Sequence, residues 1–306
     1  MANRSPAYGK KSSNVRALLD FAAQRIMLKV GFTAAPDWAA DRAARMFLRP
    51  WQQPRPDRSR YVSRETPFVA ESDRGPVAGY SFGRAGDPAV LLVHGWEDDH
   101  LSWAPLIDRL VERRYRVLAL DLPGHGRSPS RLTGIPMLAE GIAAVGREAE
   151  LLGAAPIHAT IAHSLGATST VVAAAELGLK PGRLALLAPP NHPRLFASAM
   201  MKMLGLDRMQ VERVMAEIER LVGRSMDSLY LPPMLQRLAD PGLLLHSRDD
   251  KVVPLRHGEE NATAWTTAQF RILDGLGHRR LMTDAGVQDM LLRFIAADTA
   301  QIDAAD

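Results

Sequence analysis

Residues 157–168 read IHATIAHSLGAT, and the organisation of the whole chain can be worked out from this stretch. Residues that favour β-structure lead into the segment AHSLG at 162–166, and helix-forming residues follow it. The pattern predicts a strand, a sharp turn with Ser164 at its apex, and a helix. Such a turn brings strand and helix close together, so the positions two before and two after the serine must be small, as Ala162 and Gly166 are. The turn would lift the serine hydroxyl above the edge of the sheet.

A serine at the apex of such a turn has two interpretations. Serine often caps a helix N-terminus, and Ser164 would cap a helix over 165–176 without taking part in chemistry. Alternatively, the turn is a nucleophile elbow, in which the helix N-terminus points at the oxyanion that forms during attack by the serine. The stretch alone leaves both open, and the other strand ends must decide between them.

The length and composition indicate one large α/β domain with an inserted segment, because 306 residues of which 46% are hydrophobic can bury a sizeable core. The chain has no cysteine, which excludes disulfides, cysteine nucleophiles and thiolate metal sites. Arg25 and Lys29 interrupt the first apolar run, residues 18–32, so we expect neither a signal peptide nor a membrane span. These features predict a soluble, cytoplasmic protein.

The positive charge of the chain is concentrated at its start. Residues 1–64 carry 13 Lys and Arg against 4 Asp and Glu, whereas residues 65–306 carry 25 against 30. A nucleic-acid-binding domain would instead cluster its basic residues with aromatic ones on a folded face, so we expect no nucleic-acid partner. Only the basic N-terminal part could meet a phosphate-bearing surface.

The N-terminal part is predicted to contain two helices and a linker. Apolar residues recur at helical spacing at Val15, Leu18, Leu19, Ala22, Ile26 and Val30. A second helix is predicted over 37–47, and residues 51–60 are rich in Pro and Arg, which is typical of a linker. Either these helices pack on the main domain, or residues 1–32 make a weak peripheral contact with an anionic membrane.

From residue 61 onward the pattern favours a mostly parallel sheet. A predicted antiparallel hairpin, 61–70 with 77–82, comes first. Short apolar strands then alternate with helices; the strands are predicted at 89–93, 116–120, 157–162, 184–187, 243–246 and 269–273, and the helices at 102–113, 136–152, 165–176 and 286–297. Such strands are typical of a parallel sheet that helices cover on both faces.

A helical insertion interrupts this alternation. Its main helix, 207–222, starts with a capping box formed by Asp207 and Gln210. The insertion holds seven of the thirteen methionines, at positions 200, 201, 203, 209, 215, 226 and 234. They either fill a core or line an apolar substrate pocket beneath a lid. We therefore divide the chain into an N-terminal basic helical extension (1–60), a first core part (61–190), a helical lid insertion (191–240) and a second core part (241–306).

The carboxyl ends of the strands, where ligands bind in open α/β sheets, carry coherent chemistry. The first parallel strand ends in His94-Gly95-Trp96. The backbone N–H groups of Trp96 and Leu165 could together form an oxyanion hole. We expect His94, Gly95 and His163 to contact the substrate, with the ring of His163 pointing sideways from the serine.

A serine nucleophile needs an imidazole base that a carboxylate holds in place. Both are present downstream: Asp250 follows the strand at 243–246, and His278 follows the last strand. The order Ser164, Asp250, His278 is the order Ser, Asp, His of one known triad arrangement. The other histidines lack a carboxylate so placed, and no close pair of ligands supports a metal site.

The loop after the strand at 116–120 reads DLPGHGRS at 121–128. It has two glycines, but the third glycine of a dinucleotide-binding motif would fall at Pro129, which excludes that function. We interpret the loop as structural, with Asp121 paired to Arg127.

Taken together, HGW at 94–96, DLPGHGRS at 121–128, HSLG at 163–166, DKVVP at 250–254 and GH at 277–278 resemble the α/β-hydrolase superfamily over roughly residues 75–298. The resemblance implies an eight-stranded, mostly parallel sheet with a lid inserted after the sixth strand, and serine-dependent acyl transfer. It also favours Asp250 over Asp249 as the acid, because the acid of the family lies three residues before Val-Pro. Three features depart from the family pattern: Ala162, Ser247 and the acidic run at 97–99.

The sequence thus predicts a cofactor-free serine hydrolase that cleaves a small-molecule acyl ester through an acyl-enzyme. The catalytic residues would be Ser164, Asp250 and His278. The same triad would also serve a thioesterase, lactonase, amidase, carbon–carbon hydrolase or acyltransferase. An alternative from another class is a binding protein that kept the fold and lost turnover.

Overall fold

The computed structural model of the protein describes residues 9–51, 64–154 and 156–297, with side chains from residue 20 onward. Most of the predicted linker at 51–60 and the first residues of the strand predicted from residue 61 lie outside these ranges. The strands are β1 (Thr66–Ser72), β2 (Gly75–Phe82), β3 (Ala89–Val93), β4 (Arg116–Leu120), β5 (Ile157–His163), β6 (Arg183–Leu187), β7 (Gly242–Ser247) and β8 (Ala268–Leu273). The α-helices are α1 (Gly9–Ala34), α2 (Pro36–Phe47), α3 (Ala104–Glu112), α4 (Ile135–Leu151), α5 (Ser164–Glu176), α6 (Pro193–Met203), α7 (Arg208–Val222), α8 (Pro232–Leu235), α9 (Arg256–Ala264) and α10 (Ala285–Ala296).

The eight strands form one sheet in the order β1-β2-β4-β3-β5-β6-β7-β8. β2 pairs antiparallel with β1 and with β4, and every other neighbouring pair is parallel. The predicted eight-stranded, mostly parallel sheet is confirmed. The central strands β3, β4 and β6 are buried at every position, which explains why their sequences are almost wholly apolar.

Helices cover both faces of this sheet, because side chains alternate between its faces. On one face, Leu91 and Val93 belong to a cluster that includes Leu138 and Ile142 of α4. On the other face, Val90 and Leu92 belong to a cluster with residues of α3 and α10. The sheet therefore lies between two apolar layers.

The chain divides into two compact units, and the first joins segments far apart in sequence. It comprises residues 1–48 and 194–223, while the second comprises residues 49–193 and 224–306. In the first unit α2 packs against α7. Four alanines of α2, at 39, 40, 43 and 44, are buried, and such small side chains permit a close helix approach. Arg213 of α7 forms an ion pair of 3.0 Å with Asp37.

A helix, α1, forms where the spacing predicts one, but two residues of the predicted apolar face, Ile26 and Val30, are exposed. Ile26 and Val30 are 65% and 61% exposed, whereas Leu28 and Phe32 are buried. Gly31 lets α1 approach Trp38 and Ala39, because a Cβ at Gly31 would lie only 2.9 Å from the Trp38 ring. The turn between α1 and α2 therefore selects the face with Leu28 and Phe32. None of the helices in the described part of the chain is both long and apolar enough to span a membrane.

The helical insertion contains the predicted capping box. The Asp207 side chain accepts a hydrogen bond from the N–H of Gln210, and the Gln210 side chain accepts one from the N–H of Asp207. The seven methionines divide into two groups: 201, 215, 226 and 234 are buried, while 200, 203 and 209 are exposed. Four of them thus fill the protein interior, and a lid function of the insertion stays a prediction.

Candidate active site

The predicted sharp turn at Ser164 is present, and its backbone is strained. β5 ends at His163 and α5 begins at Ser164, whose φ of 53° lies in the left-handed region that disfavours a side chain. Gly166 permits this crossing, since a Cβ there would overlap the carbonyl oxygen of His94. Strain of this kind persists only where the surrounding structure enforces it, as at functional sites.

The structure brings Ser164, His278 and Asp250 into one hydrogen-bonded chain. His278 Nε2 lies 2.9 Å from Ser164 Oγ, so it can accept the hydroxyl proton. The other ring nitrogen, Nδ1, lies 2.7 Å from Asp250 Oδ2 and donates to it. The second oxygen, Asp250 Oδ1, accepts from the N–H groups of Val252 and Val253 at 2.8 and 2.9 Å. The carboxylate is therefore fixed on both sides.

The charge of Asp250 is stabilised by its surroundings. Burial raises the pKa of this carboxyl, but the hydrogen bond and the charge of His278 outweigh burial and hold the pKa below its usual value. Asp249 points elsewhere and accepts from the Ser247 hydroxyl at 2.7 Å. Of the two neighbouring carboxylates, only Asp250 is hydrogen-bonded to the imidazole of His278.

The turn before Trp96 is held by His94, which is fully buried. Its Nδ1 donates to the carbonyl of Gly95 at 2.7 Å, and its Nε2 accepts from the N–H of Leu122 at 2.9 Å. The predicted substrate contact of His94 needs correction, because both ring nitrogens bond to backbone and no ring surface is exposed. This ring instead positions the loop that carries the Trp96 N–H.

Gly95 lies against the nucleophile. A Cβ at this position would be 3.1 Å from Cβ of Ser164, tighter than ordinary packing. The backbone leading to Trp96 thus passes beside the serine. Leu165, the other predicted oxyanion donor, is in the first turn of α5, where backbone N–H groups have no acceptor within the helix.

A buried network around Asp121 anchors the far end of the loop that follows β3 and carries Trp96. Asp121 accepts from the N–H and Nδ1 of His100 at 3.0 and 2.8 Å, and from the Tyr80 hydroxyl at 2.9 Å. Arg127 donates its backbone N–H to Asp121 at 2.9 Å, so the predicted pairing of Asp121 with Arg127 is made through the backbone of Arg127. Burial raises the pKa of Asp121, but the hydrogen bond and the charge of His100 outweigh burial and hold this pKa well below its usual value.

Sequence reasoning missed two residues that support the site. The Ser247 hydroxyl accepts from the N–H of Gly277 at 3.1 Å, and the buried His246 donates from Nε2 to the carbonyl of Val253 at 2.8 Å. In the sequence, the one signal at Ser247 is its departure from the family pattern. His163, predicted to contact substrate, is buried with its Nε2 within hydrogen-bond distance of the carbonyl oxygen of His278.

Within the described ranges, no group of three metal-binding side chains lies together.

Comparison with known proteins agrees with this architecture. A family model described as the alpha/beta hydrolase fold matches residues 88–231. A pimeloyl-(acyl-carrier protein) methyl ester esterase of Xanthomonas oryzae pv. oryzae is 26% identical over 252 residues, covering 69% of this chain and 96% of that protein. The dihydrolipoyllysine-residue acetyltransferase component of an acetoin cleaving system from Cupriavidus necator is 26% identical, covering 75% of this chain and 72% of that protein.

A solved structure of an esterase from Pyrococcus furiosus superimposes with a TM-score of 0.63 at 16% identity, covering 81% of this chain and 96% of that one. At this identity the likeness concerns the fold. The family match, the strand order and the turn at Ser164 agree with one another. The chain therefore has the α/β-hydrolase fold.

Proposed function

We propose that this carboxylic ester hydrolase works through an acyl-enzyme on Ser164. The observation that carries the proposal is the continuous hydrogen-bonded chain from Ser164 through His278 to Asp250, with distances of 2.9 and 2.7 Å. A neutral serine hydroxyl is a weak nucleophile, and an imidazole within hydrogen-bond distance can remove its proton as it attacks.

The reaction would proceed in two halves. Ser164 Oγ attacks the acyl carbon while its proton moves to His278 Nε2, and the alcohol leaves with that proton. Water then attacks the acyl-enzyme and gives its proton to the same nitrogen, which returns it to Ser164 as the carboxylic acid departs. Asp250 stabilises the imidazolium of each half and holds its Nδ1–H in place.

The backbone N–H groups of Trp96 and Leu165 would bind the oxyanion of both tetrahedral intermediates. Two structural features support this assignment: Gly95 places the first loop beside Ser164, and Leu165 lies in the first turn of α5. A single donor of this kind is typically worth about 10² to 10³ in rate.

The substrate class is proposed as a small-molecule acyl ester. Methyl esters of carrier-bound acyl chains, on which the Xanthomonas relative is named to act, belong in the test panel. Thioesters, lactones, amides and acyl transfer to an acceptor other than water would use the same groups. Rates across acyl chains of graded length, with each type of leaving group, would rank these substrates.

Labelling with a fluorophosphonate tests the nucleophile. We expect one label per chain on the wild type and no label on Ser164→Ala. Labelling should be unchanged in Ser130→Ala, which removes an exposed hydroxyl that donates to the nearby carbonyl of Leu132. Ester hydrolysis should fall by several orders of magnitude in Ser164→Ala alone. Substantial turnover by folded Ser164→Ala would refute the proposal.

A weak peripheral membrane contact through the N-terminal region is proposed as well. Ile26 and Val30 are exposed on α1 beside Arg25 and Lys29, and an apolar stripe with basic neighbours suits an anionic lipid surface. Sedimentation with anionic vesicles should decrease with salt and in the variant Ile26→Glu/Val30→Glu. Equal sedimentation of variant and wild type would contradict it. Cell fractionation would test the expected cytoplasmic location at the same time.

A further inference from the structure

His163 precedes the nucleophile, yet its ring faces the protein interior. Only 2% of the residue is exposed. Its Nε2 lies 3.0 Å from the carbonyl oxygen of His278, and the two rings are tilted against each other with centroids 4.7 Å apart. The residue therefore touches the backbone of the base rather than the space in front of Ser164.

The protonation state of this ring follows from its partner. A carbonyl oxygen only accepts hydrogen bonds, so Nε2 must carry the hydrogen. Burial, together with the charge of His278, lowers the pKa of His163 to about 3, so the ring is neutral at working pH. The other nitrogen, Nδ1, is then an unprotonated acceptor, and it has no hydrogen-bond partner among the described residues.

The Nδ1 side of the ring meets the loop that carries Trp96. A Cβ built on Gly95 would lie 3.0 Å from Nδ1 of His163. A side chain at position 95 would therefore press on the ring. One neutral imidazole thus lies between the backbone of the base and the glycine that precedes the proposed oxyanion donor.

We propose that His163 is a positioning residue that contacts no substrate. It sets the distance between the loop that carries His278 and the loop that carries Trp96, the proposed oxyanion donor. This inference rests on the proposed function of Ser164 and His278. The ring holds the His278 main chain through one hydrogen bond and supports Gly95 by packing. A displacement of about 1 Å at a reacting group can cost about 10²-fold in rate, which makes such support consequential.

Two variants separate the hydrogen bond from the packing. His163→Leu fills the space without a donor, whereas His163→Gln keeps an N–H donor at similar reach. With a short-chain p-nitrophenyl ester, we expect His163→Leu to lose about 10- to 100-fold in kcat with little change in KM. His163→Gln should recover a large part of this loss. Melting temperatures confirm that both variants are folded.

A measurement on the unmutated protein covers the case in which neither variant folds. In ¹⁵N-labelled wild type, we expect the His163 ring to be protonated at Nε2 and not to titrate between pH 5 and 8. A ring protonated at Nδ1, a folded His163→Leu with wild-type kcat, or equal losses in both variants would overturn the inference. Ser164→Ala is assayed in parallel, because an active Ser164→Ala would instead refute the proposed nucleophile.

Discussion

The Ser247 hydroxyl lies 3.1 Å from the backbone nitrogen of Gly277 and accepts its hydrogen. The same hydroxyl donates to Asp249 at 2.7 Å and accepts from the N–H of Leu276 at 3.3 Å. It therefore ties the loop of the acid to the loop that precedes the base. The spacing between Asp250 and His278 depends on this tie as well as on their own hydrogen bond.

Removing this tie should impair catalysis more than stability. We expect Ser247→Ala to lower kcat by about 10-fold, because the His278 loop loses an acceptor that fixes its position. The melting temperature should change little, since Gly277 keeps a weaker contact with Asp249 at 3.3 Å. Ester hydrolysis by Ser247→Ala is measured beside Ser130→Ala, whose exposed hydroxyl lies elsewhere. Identical kcat values for the two variants would show that the tie has no role.

The two neighbouring carboxylates should differ sharply in their effect on turnover. Asp250→Asn preserves shape but offers an N–H or a weaker acceptor to the imidazole, so we expect at least about 10²-fold loss in kcat. Asp249→Asn keeps an oxygen that can accept from Ser247 and should remain near wild type. Both are assayed at pH 8 after circular dichroism confirms folding. A crippled Asp249→Asn with an active Asp250→Asn would reverse the assignment.

Two glycine-to-alanine substitutions should differ in their effect on stability, because one new methyl group would overlap a backbone atom and the other would meet a side chain that can move. A Cβ at Gly166 would overlap the carbonyl of His94, and a backbone atom cannot move aside, so Gly166→Ala should destabilise the fold by roughly 3 kcal/mol or more. Gly146→Ala, in α4, meets only a side-chain methyl of Leu179, and helix propensity favours alanine. Urea unfolding of both variants measures the difference. Equal stability would contradict the overlap at the turn.

Stability should fall in mild acid because buried histidines resist protonation. Burial lowers the pKa of His125 and the pKa of His163 to about 3, from the ordinary histidine value of 6.5. Between pH 6.5 and 3 the unfolded state therefore binds protons that the folded state does not, so the free energy of unfolding decreases as pH decreases. Each ring should cost about 2 kcal/mol by pH 5. Asp250 and Asp121, whose pKa values are lowered, contribute stability that is lost only below about pH 4.

Urea unfolding at pH 7.5, 6 and 5 measures this slope. The variant His125→Asn keeps a donor near the carbonyl of Pro123, which His125 Nδ1 contacts at 3.1 Å, and removes one titrating ring. Its stability should depend less steeply on pH than that of the wild type. A flat profile between pH 7.5 and 5 in the wild type would contradict the assignment of buried neutral rings.

The predictable parts of this protein are those that local pattern determines. Continuous apolar strands can only lie inside a covered sheet, and parallel strands bring their carboxyl ends to one edge. Ser164, Asp250 and His278 each lie after the carboxyl end of a parallel strand, so the sequence predicts their proximity. The spacing to Val-Pro predicts Asp250 as the acid, and the Asp250 carboxylate is hydrogen-bonded to the imidazole of His278.

The remaining features depend on partners that are distant in sequence. Nothing in the pattern around His94 indicates that the N–H of Leu122 would occupy its ring nitrogen. Likewise, α1 has two apolar rows, and only its packing on Trp38 and Ala39 decides that Leu28 is buried and Ile26 exposed. Tertiary contact overrides periodicity where a helix offers more than one candidate face.

The packing of α2 on α7 has a consequence for how these two segments evolve. α2 packs against a helix whose buried residues are Val211, Val214, Met215, Ile218 and Val222. A gene shortened to the part that resembles the superfamily would keep these buried residues but would lose α2, which packs against them. The N-terminal extension and the insertion are thus a matched pair, and a lineage that loses either one should lose or rebuild the other.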